Sequence, residues 1–214
     1  VRPRKITIKG KQAHGSRPWD SIDPIMVAFQ IGNNLQTIIS RKLDLRESPA
    51  VISVGSIHGG IRSNIIPDEV EMEGTIRTFN TSIRDQIFFE MRRIIKNTAS
   101  MAGASVEINL PNGESYPVTL NDEDSTARVL PTLKNIVGDE MVYRADRSTG
   151  AEDFSFFSQE IPGFFFFLGV NKEGADYTKV PGNHSPYFQI DDGALPVGVK
   201  GLSHLTIEYL FGNI

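Results

Sequence analysis

Residues 63–79 read SNIIPDEVEMEGTIRTF. Val70, Met72, Gly74 and Ile76 alternate with Glu69, Glu71, Glu73 and Thr75, the period of two expected of a strand with one apolar face and one wet face. A strand wet on one side belongs to an antiparallel sheet whose helices cover only the other side. Working upstream, AVISVGSI (50–57) is a second strand and KITIK (5–9) a third with the same alternation. Between those two, Asp23 before Pro24 starts a helix over 24–40, where Val27, Ile31, Leu35 and Ile38 share one face. Downstream, a helix opens near Thr81 and Ser82, buries Ile83, Ile87, Met91 and Ile94, and stops at Gly103 in MAGA. SVEINL (105–110) follows as a strand. The order strand, helix, strand, strand, helix, strand is that of the ferredoxin-like split βαβ arrangement.

PNGESYP (111–117) breaks this pattern, and a boundary is placed near residue 113. Beyond it, Asn121 is expected to cap an acidic first turn, DEDS, of a helix carrying Val129, Leu133 and Ile136, with Pro131 forcing a kink or a later start. MVYRA (141–145) reads as a strand and AEDFSFFSQ (151–159) as a short helix. GFFFFLGV (163–170) is the continuous apolar run of a strand buried on both faces. A last helix over 195–210 shows Leu195, Val199, Leu202 and Leu210 at helical spacing. Two or three strands are few for closing a separate core. The segment reads as half of an α/β sheet domain.

Composition narrows the chemistry. The 214 residues carry a net charge of −4 from interleaved acids and bases, so there is no electrostatic footprint for nucleic acid or an anionic membrane. There are no cysteines, which removes disulfides, thiolate metal sites and cysteine nucleophiles. Any metal would sit on His, Asp or Glu. No apolar run approaches the ~20 residues of a membrane span, and VRPRKITIKG has no apolar signal-peptide core. The compartment is left open, with the cytoplasm favoured.

Few residues could do chemistry. His184 in NHSP stands in a loop stiffened by Pro186 and fits either a metal ligand or a loop histidine making one hydrogen bond. His14 in GKQAHGSRP ends the first strand, where Gly10 and Gly15 allow close backbone approach; a plain turn histidine is the alternative. Asn64 and Arg77 could clamp a carboxylate or a developing oxyanion, or be ordinary edge-strand residues. Glu152 and Asp153 after Gly150 suit a helix N-terminus. His58 and His204 read as structural, and the phenylalanine run as core.

In combination the motifs say more. The ordered set GKQAHGSRPWDSIDPI (10–25), GGIRSNIIPDEVEMEGTIRTF (59–79), GAEDFSFF (150–157), IPGFFFFLG (161–169) and NHSPYFQIDDGALPVGV (183–199) resembles the aminoacylase-like metallopeptidases, in particular the branch of hippurate hydrolase and the auxin-conjugate hydrolases. The resemblance implies a ferredoxin-like lid at residues 1–112 and the C-terminal half of a zinc-peptidase-type α/β catalytic domain at 113–214. It also implies a metal-dependent amidohydrolase or carboxypeptidase acting on N-acyl amino acids or small peptides. Such enzymes use two divalent ions, zinc or manganese, which lower the pKa of a bridging water to about 7 while a glutamate takes its proton.

Carried over residue by residue, His184 matches a metal ligand and His14 the oxyanion stabiliser, supplied in many relatives by the opposite subunit. Asn64 and Arg77 match the substrate-carboxylate site, and Glu152 matches in position without a defined role. The remaining ligands and the general base have no counterpart here, so at most a partial metal site and no activity of this chain alone are expected. The resemblance further implies a homodimer formed through the lid. The competing reading is a non-catalytic binding module derived from such an enzyme. A ferredoxin-like nucleic-acid module is disfavoured, because its strands lack the exposed aromatic and basic pairs of RNA-binding sheets.

Overall fold

The computed structural model describes residues 4–110, 116–172, 174–176 and 178–212. They form two compact units, Val1–Val118 and Thr119–Ile214. The boundary near residue 113 lies outside the described residues.

The first unit contains β1 (Arg4–Lys9), β2 (Ala13–His14), α1 (Pro24–Arg41), β3 (Ala50–Gly59), β4 (Ile65–Ile66), β5 (Glu69–Thr78), α2 (Thr81–Met101) and β6 (Ser105–Asn109). Four strands form a sheet in the order β3-β5-β1-β6, every neighbouring pair antiparallel. This is the ferredoxin-like topology expected from the element order. The core lies between sheet and helices: Ile8, Val70, Met72 and Ile76 from the strands meet Ile31, Leu35, Ile38, Ile87 and Ile95 from the helices. Ile95 takes the core position expected of Ile94, which is only partly buried.

Caps explain the helix limits. Asp23 accepts from the N–H groups of Ile25 (2.9 Å) and Met26 (3.3 Å), with Pro24 at the first helical position, a pairing that satisfies donors left without intrahelical acceptors. Asn80 does the same for Ser82 and Ile83. At the end of α2, Gly103 has φ +74°, the Ala104 N–H donates to the Ala99 carbonyl at 2.9 Å and the Gly103 N–H to that of Ser100 at 3.1 Å. These two bonds form a Schellman C-cap, which calls for a glycine at the left-handed position.

One expectation needs correction. Residues 63–79 are not a single strand, because Pro67 has no N–H to give a ladder. Ile65 and Ile66 pair instead with His14 and Ala13, and the sheet strand resumes at Glu69.

The second unit contains α3 (Glu123–Val137), α4 (Phe154–Glu160) and α5 (Ala194–Leu210). Its helices fall where the sequence places them, while its strands do not form. Residues 142–145 are irregular after a 3-10 turn at Asp139–Met141. GFFFFLGV joins no ladder among the described residues, and its phenylalanines are half-buried or, at Phe167, 65 % exposed rather than core. A strand meant for burial on both faces needs neighbours for its backbone groups, and among the described residues no strand pairs with it. Isolated bonds stand in for one: the Asn121 side chain accepts from the Phe165 N–H and donates to its carbonyl, both at 2.8 Å, while the Asp122 N–H donates to the Gly163 carbonyl at 2.9 Å and the Asp191 N–H to that of Val170 at 2.8 Å. That use of Asn121 leaves the helix cap to Asp122, whose carboxylate accepts from the Ser125 N–H at 2.7 Å. Pro131 stays inside a continuous α3. Leu195, Val199, Leu202 and Leu210 on α5 are all at least half exposed.

Candidate functional site

The break at Pro67 builds the most organised polar site of the first unit. β2 and β4 form a ladder of two residue pairs, His14 opposite Ile65 and Ala13 opposite Ile66. The Gly15 N–H extends it by donating to the Asn64 carbonyl at 2.8 Å. His14 and Asn64 are 50 positions apart in sequence and one register step apart in the fold. Gly15 permits this approach, and Gly10 a separate one to Ile22. A Cβ on Gly10 would lie 2.1 Å from the Ile22 carbonyl oxygen, and one on Gly15 would lie 3.2 Å from that of Asn64.

His14 is exposed yet held. Its Nδ1 lies 2.7 Å from the Ser16 hydroxyl and accepts from the Ser16 N–H at 3.1 Å. The turn that returns Ser16 over the ring is closed by the Arg17 N–H donating to the His14 carbonyl at 2.8 Å. Beside it lies an open groove of about 470 Å³ whose lining includes Gly15, Asp23, Ile25, Ile61, Arg62 and Ile65. Sequence reading left Ser16 and Arg62 aside. The signal for Ser16 was available in the His-Gly-Ser spacing, since a hydroxyl two residues along a turn commonly bonds backward.

Arg77 is not part of this cluster. It pairs with Val51 near the far end of β5, eight residues from Glu69 and so roughly 26 Å along the strand at ~3.3 Å per residue. One copy of this unit does not bring Asn64 and Arg77 together as a clamp.

In the second unit, His184 is exposed in a loop shaped by the Ser185 N–H donating to Gly182 at 2.8 Å and by the Tyr187 N–H donating to the Ser185 hydroxyl at 3.2 Å. An imidazole on such a preformed turn suits one position of a metal centre. No group of three His, Asp or Glu that could hold a metal occurs among the described residues. Glu152 precedes α4, where its carbonyl accepts from the Ser155 N–H (3.3 Å) and hydroxyl (2.5 Å). Both contacts involve its backbone. His58 and His204 are exposed. No helix among the described residues is long and apolar enough to cross a membrane.

Comparison with known proteins places this geometry in context. The description "Peptidase dimerisation domain" matches residues 4–101. Thermostable carboxypeptidase 2 of Saccharolobus solfataricus is 38% identical over 211 residues, covering 98% of this chain and 51% of its own length. N-acetylcysteine deacetylase of Bacillus subtilis is 35% identical, covering 96% of this chain and 51% of its own. Among solved structures, the Bacillus subtilis YXEP protein, described as a dinuclear metal binding peptidase from the M20 family, superposes with a TM-score of 0.65 at 29% identity, over 97% of this chain and 50% of that one. The chain spans about half the length of the curated relatives it matches.

Proposed function

Since the chain belongs to the M20 family of dinuclear-metal peptidases and amidohydrolases, spanning the C-terminal half of that architecture with its lid, we propose that the complete protein hydrolyses the amide bond of N-acyl amino acids or small peptides. The observation that carries this reading is similarity along both units to relatives named for such hydrolysis. In this reading the first unit is the lid, and the second is the C-terminal half of the catalytic domain. The exposed apolar face of α5 and the phenylalanine run, which joins no ladder among the described residues, support the latter. The 214-residue chain by itself is then inactive.

The chain's own residues take distinct parts. His184 contributes one neutral imidazole to a centre of two divalent ions, zinc or manganese. Bound ions of that kind supply a nucleophile by lowering the pKa of a bound water to about 7. His14 donates a hydrogen bond to the oxyanion as the carbonyl becomes tetrahedral. Asn64 and Arg77 hold the substrate carboxylate, the guanidinium through a charge-assisted bond.

The separation of Arg77 from His14 and Asn64 is consistent with a homodimer through the lid. The sheet has two edges. β6 has five residues and carries Glu107, ion-paired to Lys9. β3 runs ten residues, AVISVGSIHG, with no Asp, Glu, Lys or Arg, and Val51 and Ile57 on it are 49 % and 43 % exposed. A long uncharged edge is the one that pairs with another chain. Antiparallel pairing of β3 with a second copy sets its Ala50 end against the copy's Gly59 end. Arg77, opposite Val51, then lies toward His14 of the partner subunit.

The test uses the full-length protein, with chelator-sensitive turnover of N-acyl amino acids as the readout. Inactive His14→Ala and inactive His184→Ala are mixed under subunit exchange. A mixed dimer exchanging lids rebuilds one site with both histidines, so activity returns. No recovery, with mixed dimers shown to form, eliminates the shared site, and absence of turnover in the unmutated protein eliminates the proposed reaction.

A further inference from the structure

An exposed imidazole on a strand of two residues has little to stop it turning among rotamers. His14 has such a setting, and the hydrogen-bond partners of its ring among the described residues both belong to Ser16. The backbone N–H of Ser16 can only donate, and it points at Nδ1 from 3.1 Å. Nδ1 must therefore offer its lone pair, and in the neutral ring the proton then sits on Nε2. The Ser16 hydroxyl, 2.7 Å from the same atom, is the second group turned toward it. The backbone behind these contacts is closed by consecutive short-range bonds. The Arg17 N–H donates to His14 (2.8 Å), the Ser21 hydroxyl to the Pro18 carbonyl (2.6 Å), and Arg17 pairs with Asp20 at 3.0 Å.

We propose that Ser16 is the positioning residue for His14, holding Nδ1 as the acceptor so that Nε2–H points outward as a single oriented donor. The inference deepens, and rests on, the reading of His14 as the oxyanion donor. Donors that act on an oxyanion are effective because they are oriented before charge develops. The Ser16 hydroxyl should accordingly affect the turnover step and not substrate affinity.

Nitrogen-15 spectra of the histidine rings in the full-length protein test this, with the His14 signals identified by comparison with His14→Gln. The expected result is an Nε2-protonated His14 in one ring orientation. Ser16→Ala should release the ring to average among rotamers, and Ser16→Thr, which keeps a hydroxyl, should restore it. In turnover, Ser16→Ala should lower kcat on the order of 3- to 10-fold, the worth of one net hydrogen bond, with KM unchanged, and Ser16→Thr should recover most of the loss. An Nδ1-protonated His14 in the unmutated protein, or a ring signal indifferent to Ser16→Ala, overturns the inference. A ring that responds while kcat does not leaves the positioning intact and instead removes the catalytic reading of His14.

Discussion

The two units handle the same kind of sequence differently. Among the described residues every buried hydrophobic side chain belongs to the first unit, where sheet and helices cover one another. In the second, α3 and α5 contact each other through the buried Thr132, which donates to Glu208, yet Leu195, Val199, Leu202 and Leu210 remain at least half exposed. Apolar residues recur at helical spacing in both. Periodicity shows which face seeks cover, whereas burial also requires the covering element to be present.

The strands carry the same contrast further. β5 alternates and finds neighbours on both sides, β3 and β1. The phenylalanine run finds the amide of Asn121 at Phe165 and single backbone N–H donors at Gly163 and Val170, and no ladder among the described residues. A helix satisfies its backbone internally, but a strand cannot. Helices therefore keep their form without neighbours, while strands need a ladder to keep theirs.

Four measurements would break or sharpen this comparison. The largest effect is expected at the exposed histidine of the second unit. His184→Ala in the full-length protein should remove one metal equivalent and most activity, well over the roughly 10- to 100-fold that outer-shell losses cost. Unchanged metal content by elemental analysis returns His184 to a plain loop residue.

Next comes stability. Ile31, fully buried in α1, should lose about 2–5 kcal/mol on Ile31→Ala, as core truncations do, whereas Leu202→Ala in this chain should stay within about 0.5 kcal/mol, as surface changes do. Denaturant unfolding with separate probes in each unit reads both. A costly Leu202→Ala would mean that α5 is covered after all.

A smaller and more selective effect belongs to the lid. Arg77→Ala should weaken binding of substrates with a free carboxylate by roughly 1.5–3 kcal/mol more than binding of their amides, because only the charged partner loses the bond. Equal losses for acid and amide would remove Arg77 from the substrate site.

The smallest effect is in the acid range of the second unit. Hydrogen bonds from the Ser125 hydroxyl and then the Ser125 N–H hold the Asp122 carboxyl below its usual value. A depressed folded value means that the cap's contribution is complete above the usual carboxylate range and is lost as pH falls through the lower folded value. Helicity by circular dichroism should fall slightly over that window in the unmutated chain, and Asp122→Asn should flatten the change. An identical acid transition in Asp122→Asn would show that the cap is not responsible.

The limits of sequence reading follow from particular residues. Asp23 with Pro24, Asn80, and Gly103 in MAGA mark helix ends through contacts a few positions long, and the alternation at Glu69–Thr78 assigns each side chain to a face. Local patterns of this kind determined the lid's elements, their order and its ferredoxin-like class. They also singled out His14, Asn64, Arg77 and His184 as the residues to examine. They were insufficient where an outcome depended on a distant partner. Asn121 looked like a cap because Phe165, 44 residues away, is invisible to a local pattern, and GFFFFLGV looked like a strand because composition does not reveal whether neighbours are there.

Only the tertiary structure decided that Pro67 ends one ladder and opens another, bringing Asn64 to His14, that the turn at Gly15 returns Ser16 to Nδ1, and that Arg77 lies toward the other end of β5, roughly 26 Å along the strand from Glu69. Elements follow from repeating short-range sterics and solvation, whereas sites depend on the register between segments far apart in the chain, which loop closure and the shared core determine together.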